Sequence, residues 1–132
     1  MSVSTIHSFR SHPSALYEIR QFIRQLAEQA SFPDQSTNDL LVAVSEACAN
    51  SMLHTNSREI KVTWNQTGDC VEVKIRDEGV FKKRVRIAEL EGQGAHGIPL
   101  MTALVDEFAV KEGTEGNPGT LVRLFKCSGK AS

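Results

Sequence analysis

The chain has 132 residues, of which 40% are hydrophobic; that is the size of one domain with enough apolar content for a single core, and it excludes a disordered chain. A formal net charge of -1 argues against a protein held on nucleic acid mainly by phosphate contacts. No apolar run approaches the roughly 20 residues of a membrane span and the N-terminus lacks a basic-then-apolar leader, so the expectation is a soluble, cytoplasmic protein. Cys48, Cys70 and Cys127 are odd in number, far apart and without CxxC or CxH spacing. They are expected as buried or half-buried thiols in a reducing compartment, not as a disulfide framework or a zinc site.

In chain order, residues 3–10 alternate loosely and predict an edge strand. Ser11-His12-Pro13-Ser14 ends it. Ser14 is the candidate N-cap of a helix reaching about Ala30, in which Leu16, Ile19, Phe22, Ile23 and Leu26 recur at the 3.6-residue period. Ser31-Phe32-Pro33-Asp34 reads as a linker. Ser36 or Thr37 then caps a second helix, with Asp39 in its first turn, running to about His54. After a turn at 55–57, residues 59–65 and 71–76 predict two strands joined by a hairpin turn over 66–69. Residues 82–97 are charged and glycine-bearing without steady periodicity. A third helix fits 98–106, with Pro99 tolerated in its first turn. A last hairpin places strands at 107–111 and 120–126 around the loop GTEGNPG. Hairpin-joined strands favour a mixed, mostly antiparallel sheet. With the helices gathered on one face, the expected fold class is α+β, a two-layer α/β sandwich forming a single domain over 1–132.

The second helix contains SEACANSMLH at 45–54, in which Glu46, Asn50 and His54 stand four apart and share one face. Leu40, Leu41, Val44, Ala47, Cys48 and Met52 form an apolar stripe on another side. Val42, Ala43, Ala49 and Leu53 make the helix apolar nearly all round, the pattern of a helix buried in a core. A carboxylate, an amide and an imidazole along such a helix are costly to bury without partners. Either they bond to neighbouring loops, or they face a cleft. In a cleft, a carboxylate near an amide oxygen suits a hard cation such as Mg²⁺, and a carboxylate can act as base toward a hydroxyl or water. The helix alone leaves both readings open.

Three glycine-bearing segments bear on that choice. Asp77-Glu78-Gly79 follows a predicted strand. It is either a turn, or a carboxylate placed to accept from an exocyclic amine, with a glycine that lets the backbone approach a flat ring. Gly92-Gln93-Gly94-Ala95-His96-Gly97 fits GxGxxG, but the charged RIAELE before it is no clear strand, so a dinucleotide-binding oxidoreductase is a minor alternative. Glycines ahead of a helix still expose N–H donors toward an anion such as a phosphate. The third segment, Asn117-Pro118-Gly119-Thr120, opens the last strand with a hydroxyl that could bond a base directly or through water.

Glu46 and Asn50, Asp77-x-Gly79, the glycine loop at 92–97 before a helix, and Gly119-Thr120 come in the order seen in the GHKL ATPases (gyrase, Hsp90, histidine kinases, MutL). The chain most closely resembles the small anti-sigma-factor serine/threonine kinases of that superfamily, over nearly its whole length and including the phrase LLVAVSEACANSMLH. The resemblance implies a histidine-kinase-like ATPase domain with the Bergerat-type ATP-binding fold. It implies ATP and Mg²⁺ as cofactors, with Asn50 binding the Mg²⁺ that bridges the phosphates and Glu46 as general base. Asp77 would accept from the adenine amine with Gly79 under the ring. Gly92, Gly94 and Gly97 would form the phosphate-contacting loop and lid, with His96 inside it, and Thr120 would support the adenine end.

The implied role is that of an anti-sigma factor in transcription regulation and stress response. It would phosphorylate a small anti-sigma-factor antagonist and bind a sigma factor, with no direct nucleic-acid or membrane partner. The exposed ends of the first helix are candidates for a homodimer or partner surface. Two departures from the family pattern matter. The first glycine box carries one glycine, Gly79, and His96 stands where many relatives have Arg. A neutral imidazole gives the phosphates less charge than Arg, so the alternative is a catalytically weak nucleotide-binding switch that acts by partner binding. The basic run at 81–86 reads as a solvated loop face, or as a contact for an acidic partner or the phosphates. His54, one turn beyond Asn50, is read as a supporting residue.

Overall fold

The computed structural model describes residues 2–54, 58–78, 104–111 and 119–128. The expected third helix at 98–106 lies almost wholly outside them, as do all of residues 79–103 and 112–118. The described elements are β1 (Ser2–Arg10), a short 3-10 turn (Pro13–Ala15), α1 (Leu16–Gln29), α2 (Asp34–His54), β2 (Glu59–Thr67), β3 (Cys70–Asp77), β4 (Glu107–Lys111) and β5 (Leu121–Cys127). The five strands form one sheet in the order β1-β2-β3-β5-β4, and each neighbouring pair is antiparallel. The expected edge strand is therefore found at the edge, as β1. Two helices against one antiparallel sheet give the α+β sandwich.

Period-two alternation decides which face of the sheet is the core. On β3, Val71, Val73 and Ile75 are buried, while Glu72, Lys74 and Arg76 point the other way. Ile60, Val62 and Trp64 on β2, and Val122 and Leu124 on β5, continue the inner face. Against it pack Ile19, Ile23 and Ala27 of α1 and Leu40, Ala43, Val44, Ala47 and Cys48 of α2. The outer face carries an ion-pair ladder in which Arg123 on β5 meets Glu72 on β3 and Glu107 on β4.

The two helix starts differ from the expected caps. Ser14 is not the N-cap of α1. His12 caps the preceding 3-10 turn, its Nδ1 accepting from the Ser14 N–H at 3.1 Å, and Ala15 precedes α1 without a side-chain cap. Nor do Ser36 or Thr37 cap α2, because the helix already starts at Asp34. Both are buried inside the first turns, and the Ser36 hydroxyl is drawn away to the carbonyl of Ser128, 2.6 Å distant beyond the end of β5. The all-round apolar reading of α2 is also only partly right. Val42 is 41% exposed and Leu53 69%, so α2 buries one broad face and leaves another to solvent.

The cysteines overturn the expectation of three thiols. Cys70 and Cys127 face each other across β3 and β5, with Cα atoms 3.9 Å apart, and form a disulfide. Backbone bonds flank the pair from Ser128 N–H to the Asp69 carbonyl and, at the far end of the ladder, from Asp77 N–H to the Thr120 carbonyl. Residues 57 positions apart meet because β5 inserts between β3 and the edge strand β4. Spacing rules that look for nearby cysteines do not register such a crossover. Cys48 alone is a free thiol; it is fully buried, and that burial pushes its pKa up to about 12.

Closing a 57-residue loop typically stabilises a domain by about 2–4 kcal/mol. Reduction with a dithiol should therefore lower the melting temperature by about 10 °C, measured by scanning calorimetry. In the native reduced protein a thiol reagent should titrate Cys70 and Cys127 quickly and Cys48 only on unfolding.

Candidate functional site

Of the expected site residues, Asp77 and Thr120 meet where α2, β3 and β5 come together. β3 places Asp77 at its end, two residues beyond Ile75 and so on the inner, apolar face. Only 1% of Asp77 is exposed. A carboxylate at that depth must be satisfied by donors. The Ser51 hydroxyl of α2 donates to Oδ2 at 2.5 Å, and the Thr120 N–H donates to Oδ1 at 3.3 Å. In return the Asp77 N–H donates to the Thr120 carbonyl at 3.0 Å. Thr120, itself buried, is thus joined to Asp77 through its backbone.

Gly119 makes that approach possible. Its φ of 112° lies in the region that L-residues with side chains avoid, and a Cβ there would stand 3.2 Å from the Asp77 carbonyl oxygen and 3.4 Å from the Arg76 guanidinium.

Glu46 and Asn50 lie one turn apart on α2 and are half-buried. Asn50 precedes Ser51, so the turn that anchors Asp77 also carries the amide. Among the described residues, the Asn50 Nδ2 is buried without a hydrogen-bond partner, and so is the Ser45 hydroxyl. Such orphaned donors are rare in folded chains and call for a ligand, water or ion. An amide with its N–H₂ group unmatched fits a phosphorylated ligand, because Nδ2 can donate to a phosphate oxygen while Oδ1 offers Mg²⁺ the hard oxygen it prefers. His54 ends α2, but its side chain is not among those described. Gly79, Gly92, Gly94, His96 and Gly97 also lie outside the described residues. The structure thus joins Asp77 to Thr120 directly, and brings α2 to them through Ser51.

Sequence reasoning passed over Ser51. The signal was present: it falls four residues after Ala47 and seven after Val44, on the buried stripe of α2. A hydroxyl on that stripe needs a polar partner in the core, and Asp77, equally out of place on the inner register of β3, is that partner. A concavity of about 410 Å³ lies elsewhere, between β1 and α1, lined by His7, Phe9, Tyr17, Glu18, Phe22 and neighbouring glutamines. None of the expected nucleotide residues lines it.

The model of the histidine kinase-like ATPase domain matches residues 9–126. The chain belongs to that family. Within it, the chain is related to anti-sigma-factor kinases: it is 26% identical to the serine-protein kinase RsbW of Bacillus velezensis, over 88% of this chain and 80% of that protein. Its fold also superposes on the RsbU and RsbW domains of Rv1364c from Mycobacterium tuberculosis, with a TM-score of 0.72 over 95% of this chain at 19% identity. The chain spans about a third of that larger protein, 32% of its length. In this histidine kinase-like ATPase domain Asp77 stands at the joint of three elements, the end of β3, α2 and the start of β5. None of its described helices is long and apolar enough to cross a membrane.

Gly119→Ala should destabilise the domain by about 1–3 kcal/mol, the usual cost of a side chain forced into a disfavoured backbone region. The midpoint of urea unfolding measures it. An unchanged midpoint would mean that Gly119 and the Asp77 backbone do not meet as described.

Proposed function

We propose that this chain is a Mg²⁺- and ATP-dependent protein serine/threonine kinase acting as an anti-sigma factor, which phosphorylates a small anti-sigma-factor antagonist and binds a sigma factor. The observation that carries the reading is the Asn50 amide, buried and without a partner among the described residues, one residue from the hydroxyl that holds Asp77. Membership of the ATPase family and the kinase named among its relatives support it.

In this reading Asp77 accepts from the adenine amine and Thr120 lies beside it. Asn50 faces the phosphates, with Oδ1 toward the cation. Mg²⁺, when bound, would be held by the Asn50 amide oxygen and would neutralise phosphate charge. Glu46, one helical turn before Asn50, takes the proton of the attacking serine or threonine hydroxyl. A carboxylate suits that task when it is held near the phosphate and shielded from bulk water. By the family resemblance Gly79 would lie under the base, and Gly92, Gly94, His96 and Gly97 would contact the phosphates. The concavity between β1 and α1 is the candidate surface for a partner protein or a second copy of the chain.

The single glycine of the first box and His96 favour a second reading, a nucleotide-binding switch with weak or no transfer. One experiment separates the two. Purified protein is incubated with labelled ATP, Mg²⁺ and candidate antagonist proteins, and ATP binding is followed by calorimetry. The kinase reading expects transfer by the natural chain, and a fall of about 10²–10⁴-fold in Glu46→Gln with ATP affinity retained. ATP binding without transfer to any antagonist would favour the switch. Undiminished transfer by Glu46→Gln would remove Glu46 from the role of base.

A further inference from the structure

Cys70 and Cys127 occupy the last rung of the β3–β5 ladder, in the register of Glu72 and Phe125, which points away from the core. Both are half-buried, and residues 67–69 beside Cys70 are exposed. A small thiol or disulfide can reach the pair from solvent, whereas Cys48 is sealed in the core. The residues next to the bond hold more than two strands together. The Ser128 N–H donates to the Asp69 carbonyl at 2.7 Å, and the Ser128 carbonyl accepts from the Ser36 hydroxyl of α2. The Cys127 N–H donates to the Asp106 carboxylate at 2.8 Å, and the Asp106 N–H donates back to the Phe125 carbonyl. The end of β5 is thus the anchor for the start of α2 and for the chain entering β4.

We propose that Cys70 and Cys127 are a reversible thiol–disulfide exchange site, open to low-molecular-weight thiols and disulfides, whose state sets how firmly the start of α2 and the entry to β4 are held. In oxidation, one cysteine thiolate attacks a sulfur of a small disulfide, forming a mixed disulfide and releasing one small thiolate. The other cysteine thiolate then attacks the protein sulfur of that mixed disulfide and releases the second. Two electrons pass from the cysteine sulfurs to the reagent, and the two cysteine protons end on the two released thiols. With the bond formed, Cys127 cannot part from β3, so the Ser128 carbonyl stays in place for Ser36. With the bond reduced, the last rung relies on hydrogen bonds at a strand end, where local opening starts most readily. The relay ends on the helix that carries Glu46 and Asn50, whatever ligand they meet.

Two measurements test the switch. The natural chain is equilibrated with reduced and oxidised glutathione at varied ratios, and free thiols are trapped and counted by mass. Cys70 and Cys127 should change state together, with Cys48 silent. A pair that stays oxidised in reduced glutathione alone is a structural clasp of the kind that resists this pool. A pair that stays reduced in oxidised glutathione exchanges nothing. Either result would overturn the proposal. Amide hydrogen exchange is then followed residue by residue by NMR in both states. On reduction the amides of Thr37 to Leu40, Asp106 and Ser128 should exchange about tenfold faster or more, the scale of an eased local opening. Unchanged exchange at these amides would overturn the relay. In Ser36→Ala the amides of Thr37 to Leu40 should already be fast in the oxidised protein, and reduction should add nothing there while still freeing Asp106 and Ser128. Additive effects of the variant and of reduction would mean that α2 responds only to a general loosening, which also sinks the relay. Cys70→Ser/Cys127→Ser should match the reduced chain and ignore glutathione. The glutathione titration uses the natural chain alone, so it decides the exchange site even where a variant fails to fold.

Discussion

Two hydroxyls pin α2 to the sheet, and the placing of the site depends on them. Ser36, near the start of the helix, donates to the Ser128 carbonyl beyond the end of β5. Ser51, fifteen residues later, donates to Asp77 at the end of β3. Fifteen residues of helix rise about 22 Å, and the seven steps from Cys70 to Asp77 span about 23 Å of strand. Helix and strand match in length, so both bonds form without bending either element. The Lys126 ammonium, 3.7 Å from Asp39 and 2.8 Å from the Leu104 carbonyl, adds a further tie at the Ser36 end. A helix fixed at both ends cannot slide along the sheet. Glu46 and Asn50 therefore keep their height relative to Asp77 and Thr120.

The topology explains why the site lies at this end. β5 enters the sheet between β3 and β4, so its first residues stand beside the last of β3. The chain leaves β3 at Asp77, passes through β4, and begins β5 just beyond Gly119 at the same end of the sheet, next to the C-terminal half of α2. A carboxylate, a hydroxyl residue and an amide-bearing helix turn are brought together from positions up to about seventy residues apart. The other end of the same ladder holds Cys70, Cys127 and the Ser36 bond. One end of the sheet holds the candidate site, and the other a covalent clasp between two strands.

Much of this was legible in the amino-acid order. The alternation of Val71, Val73 and Ile75 on β3 marked one face as core, and Asp77 in the same register was already an acid in the wrong place. The four-residue spacing of Glu46 and Asn50 put both on one face of a helix. What stayed hidden depends on contacts between distant parts of the chain. Ser14 had the residue type of a cap, but His12 takes the bond. Ser36 had it too, but the chain beyond β5 draws its hydroxyl away. The disulfide follows from a strand insertion that no local pattern encodes. Ser51 was missed for a subtler reason: its place on the buried stripe asks for a polar partner, but that partner, Asp77, lies on another element.

The bond between Cys70 and Cys127 has a consequence for how this architecture can vary. It turns everything from β3 to β5 into a covalent ring that includes Asp77, Gly79, Gly92, Gly94, His96, Gly97 and Thr120, while Glu46 and Asn50 stand outside it on the helix. The entropy of closing a ring grows only with the logarithm of its length, by about 0.6 kcal/mol for each doubling. Segments of very different size can thus be inserted between Asp77 and Gly119 at little cost to the clasp. The clasp separates two requirements, a fixed pair of strands and a freely variable stretch between them, that an unlinked sheet edge would have to balance against each other.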